Sequence, residues 1–175
     1  MPERVIRARQ VVADAWQTLG LAPNDTVAEP LPDGPVIVPL AYWKAHRDAL
    51  VARGQPVGVW LKAEDEPGEL ARDVASLTLI AVHFPKFGDG RGYSTGALLR
   101  RRYGYRGELR AFGDIGRDHL FALQRCGFDS FRLPPQRDPV DALVSLDDFS
   151  LRYQGSVDDP LPLFRKRAAG AAQIQ

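Results

Sequence analysis

The sequence predicts one α/β domain built on a mainly parallel β-sheet. From Pro35 onward, short apolar runs alternate with segments whose apolar residues recur at helical spacing. Parallel neighbours in a sheet need a long crossover connection, which a helix supplies. The chain has 175 residues, of which 45% are hydrophobic and 26% charged, as expected of one globular domain with a buried core.

Five βα units are predicted, each a strand followed by a helix. In order they are VIVPL with AYWKAHRDALVARG, VGVWL with the acidic segment EPGELARDVASL, LTLIAVHF with STGALLRRRYG, ELRAF with GRDHLFALQRCG, and FDSFRL with PVDALVSLDDFS. Gly54 is placed to end the first helix. One sequence does not set strand order, so an open three-layer sandwich is the first expectation and a partial βα barrel the second.

The segments outside these units are less regular. Residues 4–16 alternate weakly between apolar and polar and are interpreted as a hairpin or strand pair, although a helix is equally defensible. Residues 20–35 contain four prolines, which predicts a linker or wrapped loop. We therefore expect a single domain over 1–153 with its core in 35–153, and a peripheral or mobile tail over 154–175.

Composition excludes several classes of protein. The formal net charge is +1, so no general electrostatic field favours nucleic acid or an anionic membrane. The single cysteine, Cys126, forms no internal disulfide, and no Cys or His spacing fits a metal site. No apolar run approaches the ~18 residues of a membrane span or resembles a secretory signal. We expect a cytoplasmic protein with no membrane or nucleic-acid partner.

The first candidate site is the glycine-rich segment FPKFGDGRGYS, residues 84–94, which follows the most β-like run. Parallel sheets bind ligands at the carboxyl ends of their strands. Glycine amides with Lys86 and Arg91 could cradle an oxyanion, with Ser94 capping the next helix. The competing interpretation is an irregular loop in which Asp89 and Arg91 pair with each other. The segment is neither a P-loop nor a dinucleotide fingerprint, and no cofactor is predicted.

The second candidate is the next strand-to-helix junction, ELRAFGDIGRDHL at 108–120. Residues 86–132 carry ten basic against five acidic side chains, so this part of the chain is locally cationic. If the two strands are neighbours, their basic side chains could line one crevice, with nearby aspartates holding them in place. The predicted anion-binding residues are Lys86, Asp89, Arg91, Tyr93, Ser94, Arg110 and Arg117. Asp114 and Asp118 are the candidates for a general acid or base, or else a helix N-cap and a first-turn acid.

The run from 84 to 131, FPKFGDGRGYSTGALLRRRYGYRGELRAFGDIGRDHLFALQRCGFDSF, resembles the centre of a bacterial family of unknown molecular function. Its members are commonly described as oxidoreductases involved in sulfite reduction, because they accompany the sulfite reductase hemoprotein in sulfate-assimilation gene clusters. The resemblance extends loosely over 35–153. The chain departs from the commoner pattern at Gly116 and His119, and the family offers no catalytic residues to carry over.

The resemblance implies an accessory protein of sulfate assimilation and cysteine biosynthesis. Its implied partners are the sulfite reductase hemoprotein or its electron donor, together with a small oxyanion. Two alternatives stay open: a stand-alone lyase or isomerase acting on a small anionic substrate, and a cofactor-free scaffold that only contacts other proteins.

Overall fold

A computed structural model of the protein describes residues 3–21, 26–147, 154–163 and 165–166. Eight strands and four α-helices alternate along most of it. The strands are β1 (Arg4–Arg7), β2 (Gln10–Ala13), β3 (Gln17–Thr18), β4 (Val36–Pro39), β5 (Val57–Leu61), β6 (Leu79–Phe84), β7 (Glu108–Gly113) and β8 (Ser130–Arg132). The helices are α1 (Leu40–Ala52), α2 (Arg91–Arg101), α3 (Arg117–Arg125) and α4 (Pro139–Leu143), with 3₁₀ helices at Pro67–Leu70 and Val144–Asp147.

All eight strands form one curled sheet in the order β2-β1-β8-β7-β6-β5-β4-β3. The strands from β3 to β8 run parallel, and each neighbours the next strand in the chain. Strand β1 pairs antiparallel with both β2 and β8. The mainly parallel sheet and the N-terminal hairpin are therefore confirmed.

The helices cover one face of this sheet. Buried residues of every α-helix, such as Trp43, Leu99 and Leu120, share one hydrophobic cluster with Val82 and Phe131 of the strands. The alternate strand residues form a second, smaller cluster on the opposite face, against which Trp16 packs. A three-layer sandwich has helices on both faces. The first expectation was therefore wrong, and the curled sheet with one helical face matches the partial-barrel alternative.

The expectation of five βα units is not confirmed, because the acidic segment after β5 forms only a 3₁₀ helix, Pro67–Leu70, followed by turns. Pro67 and Gly68 stand at its start, and glycine disfavours helix. Asp73, in the following turn, is buried and accepts hydrogen bonds from Trp43 Nε1 at 2.9 Å and Arg47 Nε at 2.8 Å. These hydrogen bonds to α1 hold Asp73 in a turn, and a regular helix over this segment would break them.

Two helix ends test the sequence interpretation. Gly54, at φ +66°, follows the last residues of α1 and confirms the predicted stop. Helix α2 begins at Arg91 behind an N-cap at Gly90, which makes no side-chain capping bond. The prediction that Ser94 caps this helix is wrong, because Ser94 lies one turn inside it.

The described part of the C-terminal segment packs against α3. Arg125 Nη2 donates to the carbonyl of Gln154 at 2.9 Å, and the amide of Val157 donates to the carbonyl of Arg125 at 2.9 Å. The predicted peripheral tail thus begins as a segment tied to the helix end. Residues 167–175, where mobility was also predicted, lie outside the described ranges.

Candidate functional site

A cavity of about 650 Å³ lies where β6, β7 and β8 end. It opens on the face opposite the helices, because His83, Phe112 and Arg132 alternate along their strands with residues of the helix-side core. The start of β1 and the loop from β8 to α4 complete its walls. The lining residues are Glu3, Arg4, Leu21, His83, Phe112, Gly113, Arg132, Leu133, Pro134, Pro135, Arg137 and Pro139.

Arg132, the last residue of β8, is held over the sheet by three contacts. Its Nη1 donates to Thr18 Oγ1 at 3.1 Å and to Glu3 Oε2 at 3.3 Å. Its guanidinium carbon lies 5.4 Å from the centroid of the Phe112 ring, a cation–π contact. The side chain keeps 19% of its exposure. The N-terminal segment thus orients Arg132 and leaves part of its guanidinium facing the cavity.

Arg137 approaches the same cavity from the loop after β8. Its Nη2 lies 3.7 Å from Asp114 Oδ1, and its guanidinium carbon lies 5.9 Å from the centroid of the Phe87 ring. Its side chain is 35% exposed. Arg4 adds a third guanidinium, paired at 3.3 Å with exposed Asp138. In the part of the chain that the structure describes, three arginines and one carboxylate, Glu3, therefore line the cavity, which suits a ligand that carries an oxyanion.

Among the described residues that line the cavity, His83 is the one with a titratable group near neutral pH. Its ring centroid lies 4.9 Å from that of Phe112 and 5.9 Å from that of Trp60. Burial, with a smaller contribution from the positive charge of Arg132, lowers the pKa of His83 below 6.5. The imidazole is therefore neutral at neutral pH and can exchange a hydrogen bond or a proton with a bound ligand.

The loop after β6 is anchored to the start of α3. Gly113 ends β7 at φ +106°, and a Cβ there would lie 2.3 Å from the carbonyl oxygen of Phe84. This tight turn lets the amide of Asp114 donate to that carbonyl at 2.7 Å, while the Asp114 carboxylate accepts from the amide of Phe87 at 3.0 Å. Asp114 is thus a positioning residue at the cavity edge. The N-cap of α3 is Gly116 instead, so the N-cap interpretation of Asp114 is wrong.

His119 completes that anchor. Its Nδ1 accepts from the amide of Gly116 at 2.9 Å, and its Nε2 lies 3.0 Å from the carbonyl oxygen of Phe87. Because Nδ1 accepts, the proton must sit on Nε2 and be donated to Phe87. The residue is buried, and its ring ties the loop to α3 through both nitrogens.

The predicted glycine-rich cradle has a different geometry. Asp89 accepts from Arg91 Nε at 3.0 Å and from Nη2 at 2.7 Å, as the competing interpretation proposed. These hydrogen bonds lower the pKa of Asp89 to about 2. The fork of Arg91 is thus already filled by a carboxylate. Lys86 and Ser94 are exposed, and Tyr93 packs its ring edgewise on Phe84, with centroids 5.6 Å apart.

Arg110 also differs from its predicted role. Its side chain is 1% exposed, and its nitrogens contact Asp14 at 2.8 Å, Glu108 at 2.8 Å and Ser130 Oγ at 3.2 Å. It lies midway along β7 in an ion cluster that fills its donors. Arg117 and Asp118 are exposed in the first turn of α3. The structure therefore divides the predicted basic residues between separate contacts instead of directing them all into one crevice.

Sequence reasoning missed the residues that do converge, because none of them was assigned a role: Arg132, Arg137, Arg4, Glu3 and His83. Two signals were present. His83 alternates with apolar Val82 and Phe84, which places it on the other face of β6, and Arg132 stands at the carboxyl end of the last parallel strand.

Two further findings concern the described ranges alone. Within them, no group of three or more His, Cys, Asp or Glu side chains could hold a metal ion. None of the helices in that part of the chain is long and apolar enough to cross a membrane.

Comparison with known families places the chain. The model of a family described as "Bacterial protein of unknown function (DUF934)" matches residues 58–164. The chain belongs to this family. The match to DUF934 confirms the resemblance to a bacterial family of unknown molecular function, and it covers both predicted strand-end segments and the cavity residues from His83 to Pro139. No curated protein matches the chain.

Proposed function

We propose that the protein is an accessory protein of assimilatory sulfite reduction that binds an oxyanion in the cavity at the ends of β6, β7 and β8. The observation that carries the binding half is the convergence of Arg4, Arg132 and Arg137 on one cavity. Guanidinium forks bind sulfur and phosphorus oxyanions through paired hydrogen bonds, at the strand ends where α/β sheets bind ligands. The pathway half rests on the family resemblance.

Thermal unfolding tests the binding half. Sulfate or sulfite at about ten times its dissociation constant should raise the melting temperature by roughly 3–6 °C, relative to chloride at equal ionic strength. Arg137→Gln should abolish the rise, because Arg137 is the cavity arginine with the longest ion-pair distance and the least to lose structurally. A rise that survives in Arg137→Gln would contradict this site.

Arg91→Ala is the matched control, since it removes an exposed arginine from the start of α2, near the same strand ends. We expect the anion-induced rise to persist in this variant. If Arg91→Ala abolishes it instead, the ligand belongs to the loop of Lys86, Asp89, Arg91, Tyr93 and Ser94 that the sequence analysis proposed.

A partner is proposed for the opposite end of the sheet. A second depression of about 660 Å³ is lined by Arg100, Arg101, Arg106 and Arg165, with no carboxylate among its described lining residues. Arg100 is structural, because it donates to the carbonyls of Tyr105, Gly107 and Gly127 and to Asp129. Arg101 and Arg106 are exposed. We propose that this basic surface binds an acidic surface of the sulfite reductase hemoprotein or of its electron donor.

Co-purification from cells tests that partner. The hemoprotein or its reductant should accompany the tagged wild-type protein at low salt and be lost progressively as the salt concentration rises. The double variant Arg101→Glu/Arg106→Glu should lose it, while Lys86→Glu/Arg91→Glu, an equal double charge reversal at exposed residues elsewhere on the surface, should not. Association that is unchanged in high salt or in the double variant would refute the electrostatic docking.

A further inference from the structure

The cavity is far larger than an inorganic oxyanion. Its volume of about 650 Å³ lies within the roughly 300–1,000 Å³ that encloses whole organic ligands. A water molecule takes about 30 Å³, and an oxyanion of four or five heavy atoms needs only a few times that volume. An inorganic ion held by two arginines would leave most of the cavity to solvent.

The remaining wall is apolar. Of the twelve described residues that line the cavity, half are apolar: Leu21, Phe112, Leu133, Pro134, Pro135 and Pro139. Leu21 is 49% exposed, although it is a large apolar residue. An exposed leucine beside three prolines is a surface that gains free energy when a ligand covers it. The prolines lose almost no conformational freedom on binding, which preserves that gain.

From the presence of both a charged and an apolar part of the cavity wall, we infer that the ligand is an organic anion. Its oxyanion group would bind Arg132 and Arg137, and its apolar body would pack against the leucine and proline wall. The inference rests on the proposed oxyanion site and adds the class of molecule that carries the anion. His83, which also lines the cavity, can serve either part of the ligand. Its neutral ring can contact the apolar body, and its nitrogens can hydrogen-bond a polar group.

Three probes that differ in one feature at a time test this inference: methanesulfonate, 1-hexanesulfonate and 1-hexanol. Calorimetry on the full chain should show hexanesulfonate binding at least tenfold more tightly than methanesulfonate, because burying about two methylene groups supplies that factor. Hexanol, which lacks the anionic group, should bind more weakly than either sulfonate.

Variants separate the two halves of the ligand. Leu21→Asn should reduce the preference for hexanesulfonate while leaving methanesulfonate binding unchanged. Arg137→Gln should weaken both sulfonates and leave hexanol unaffected. Leu161→Asn, which changes another exposed leucine at 53% exposure outside the cavity lining, is the matched control and should change nothing.

The contrary outcomes are distinct. Equal affinity for the two sulfonates would overturn the organic-anion inference and leave the oxyanion site standing. Hexanesulfonate binding that survives in Arg137→Gln and matches that of hexanol would also overturn it, since it would show non-specific apolar adsorption. Failure of both sulfonates to bind would refute the proposed oxyanion site itself.

Discussion

Arg110 and Asp14, 96 residues apart in the chain, form a salt bridge of 2.8 Å in which both side chains are 1% exposed. Arg110 belongs to the parallel core of the sheet, whereas Asp14 follows the N-terminal hairpin. The pair therefore fastens the segment that follows the hairpin, with Trp16, onto the helix-free face of the sheet. A residue predicted to bind a ligand is thus part of the protein's own framework.

Replacing Asp14 should destabilise the fold. Asp14→Ala removes one partner of a buried guanidinium, and breaking a buried ion pair costs about 3 kcal/mol, which is roughly 6–12 °C in melting temperature for a chain of this size. The expected loss of stability is at the low end for a buried ion pair, because Glu108 still neutralises Arg110. Thermal and urea unfolding measure the loss.

Lys44→Ala is the control for that experiment, since the Lys44–Glu69 pair is exposed and worth at most about 1 kcal/mol. An Asp14→Ala variant as stable as Lys44→Ala would show that the buried pair contributes little beyond an ordinary surface contact.

Gly116 leaves the space that the guanidinium of Arg137 occupies. A Cβ at position 116 would lie 1.4 Å from Arg137 Nη1, while the backbone there is extended, at φ −140° and ψ −178°, and accepts any residue. Gly116→Ala should therefore push the flexible end of Arg137 aside with little loss of stability. We expect the melting temperature without ligand to stay within about 2 °C of wild type and the sulfate-induced rise to shrink.

Gly88→Ala is the comparison variant, because a Cβ at that position meets nothing within 4 Å. It should keep the full sulfate-induced rise. If Gly116→Ala also keeps it, Arg137 does not contribute to anion binding from its present position.

Anion binding should strengthen as the pH falls. Burial and the charge of Arg132 depress the pKa of His83 below 6.5 in the ligand-free protein, while Glu64 opposes this weakly. A bound anion nearby stabilises the imidazolium and raises that pKa, so binding takes up protons. Sulfate does not titrate in this range. Its dissociation constant should therefore decrease as the pH is lowered from about 8 to about 5.

His83→Gln should flatten that pH dependence and preserve binding at high pH, where the wild-type imidazole is neutral. Isothermal calorimetry in buffers of different ionisation enthalpy counts the protons taken up. The same steep dependence in His83→Gln would assign it to another group.

Gly96 lets α2 approach the core closely. A Cβ at this position would lie 2.3 Å from Cε2 of the Phe128 ring, which is almost fully buried. Gly96→Ala should overpack this contact and cost about 1–3 kcal/mol, in spite of the better helix propensity of alanine. Gly88→Ala serves again as the control. A stabilised Gly96→Ala protein would mean that the Phe128 ring can move aside without strain.

The sequence by itself determined much of the fold. The apolar runs VIVPL, VGVWL and LTLIAVHF mark strands because parallel strands buried on both faces are nearly continuously apolar, and this information is local. The helix end at Gly54 was likewise predictable from neighbouring residues, whereas residues 4–16 suited a hairpin or a helix equally well and the structure decided for the hairpin.

The tertiary structure alone decided which charged residues meet. Strand order is set by long-range pairing, and the sequential order from β3 to β8 placed the helices on one face and opened the other to the N-terminal segment. On that face Arg110 pairs with Asp14, while Arg132, Arg137 and Arg4 line one cavity at the strand ends. The place of Arg132 at a strand end is visible in the sequence, but the arginines it meets are not, because a guanidinium's role depends on which distant carboxylates lie beside it in the fold.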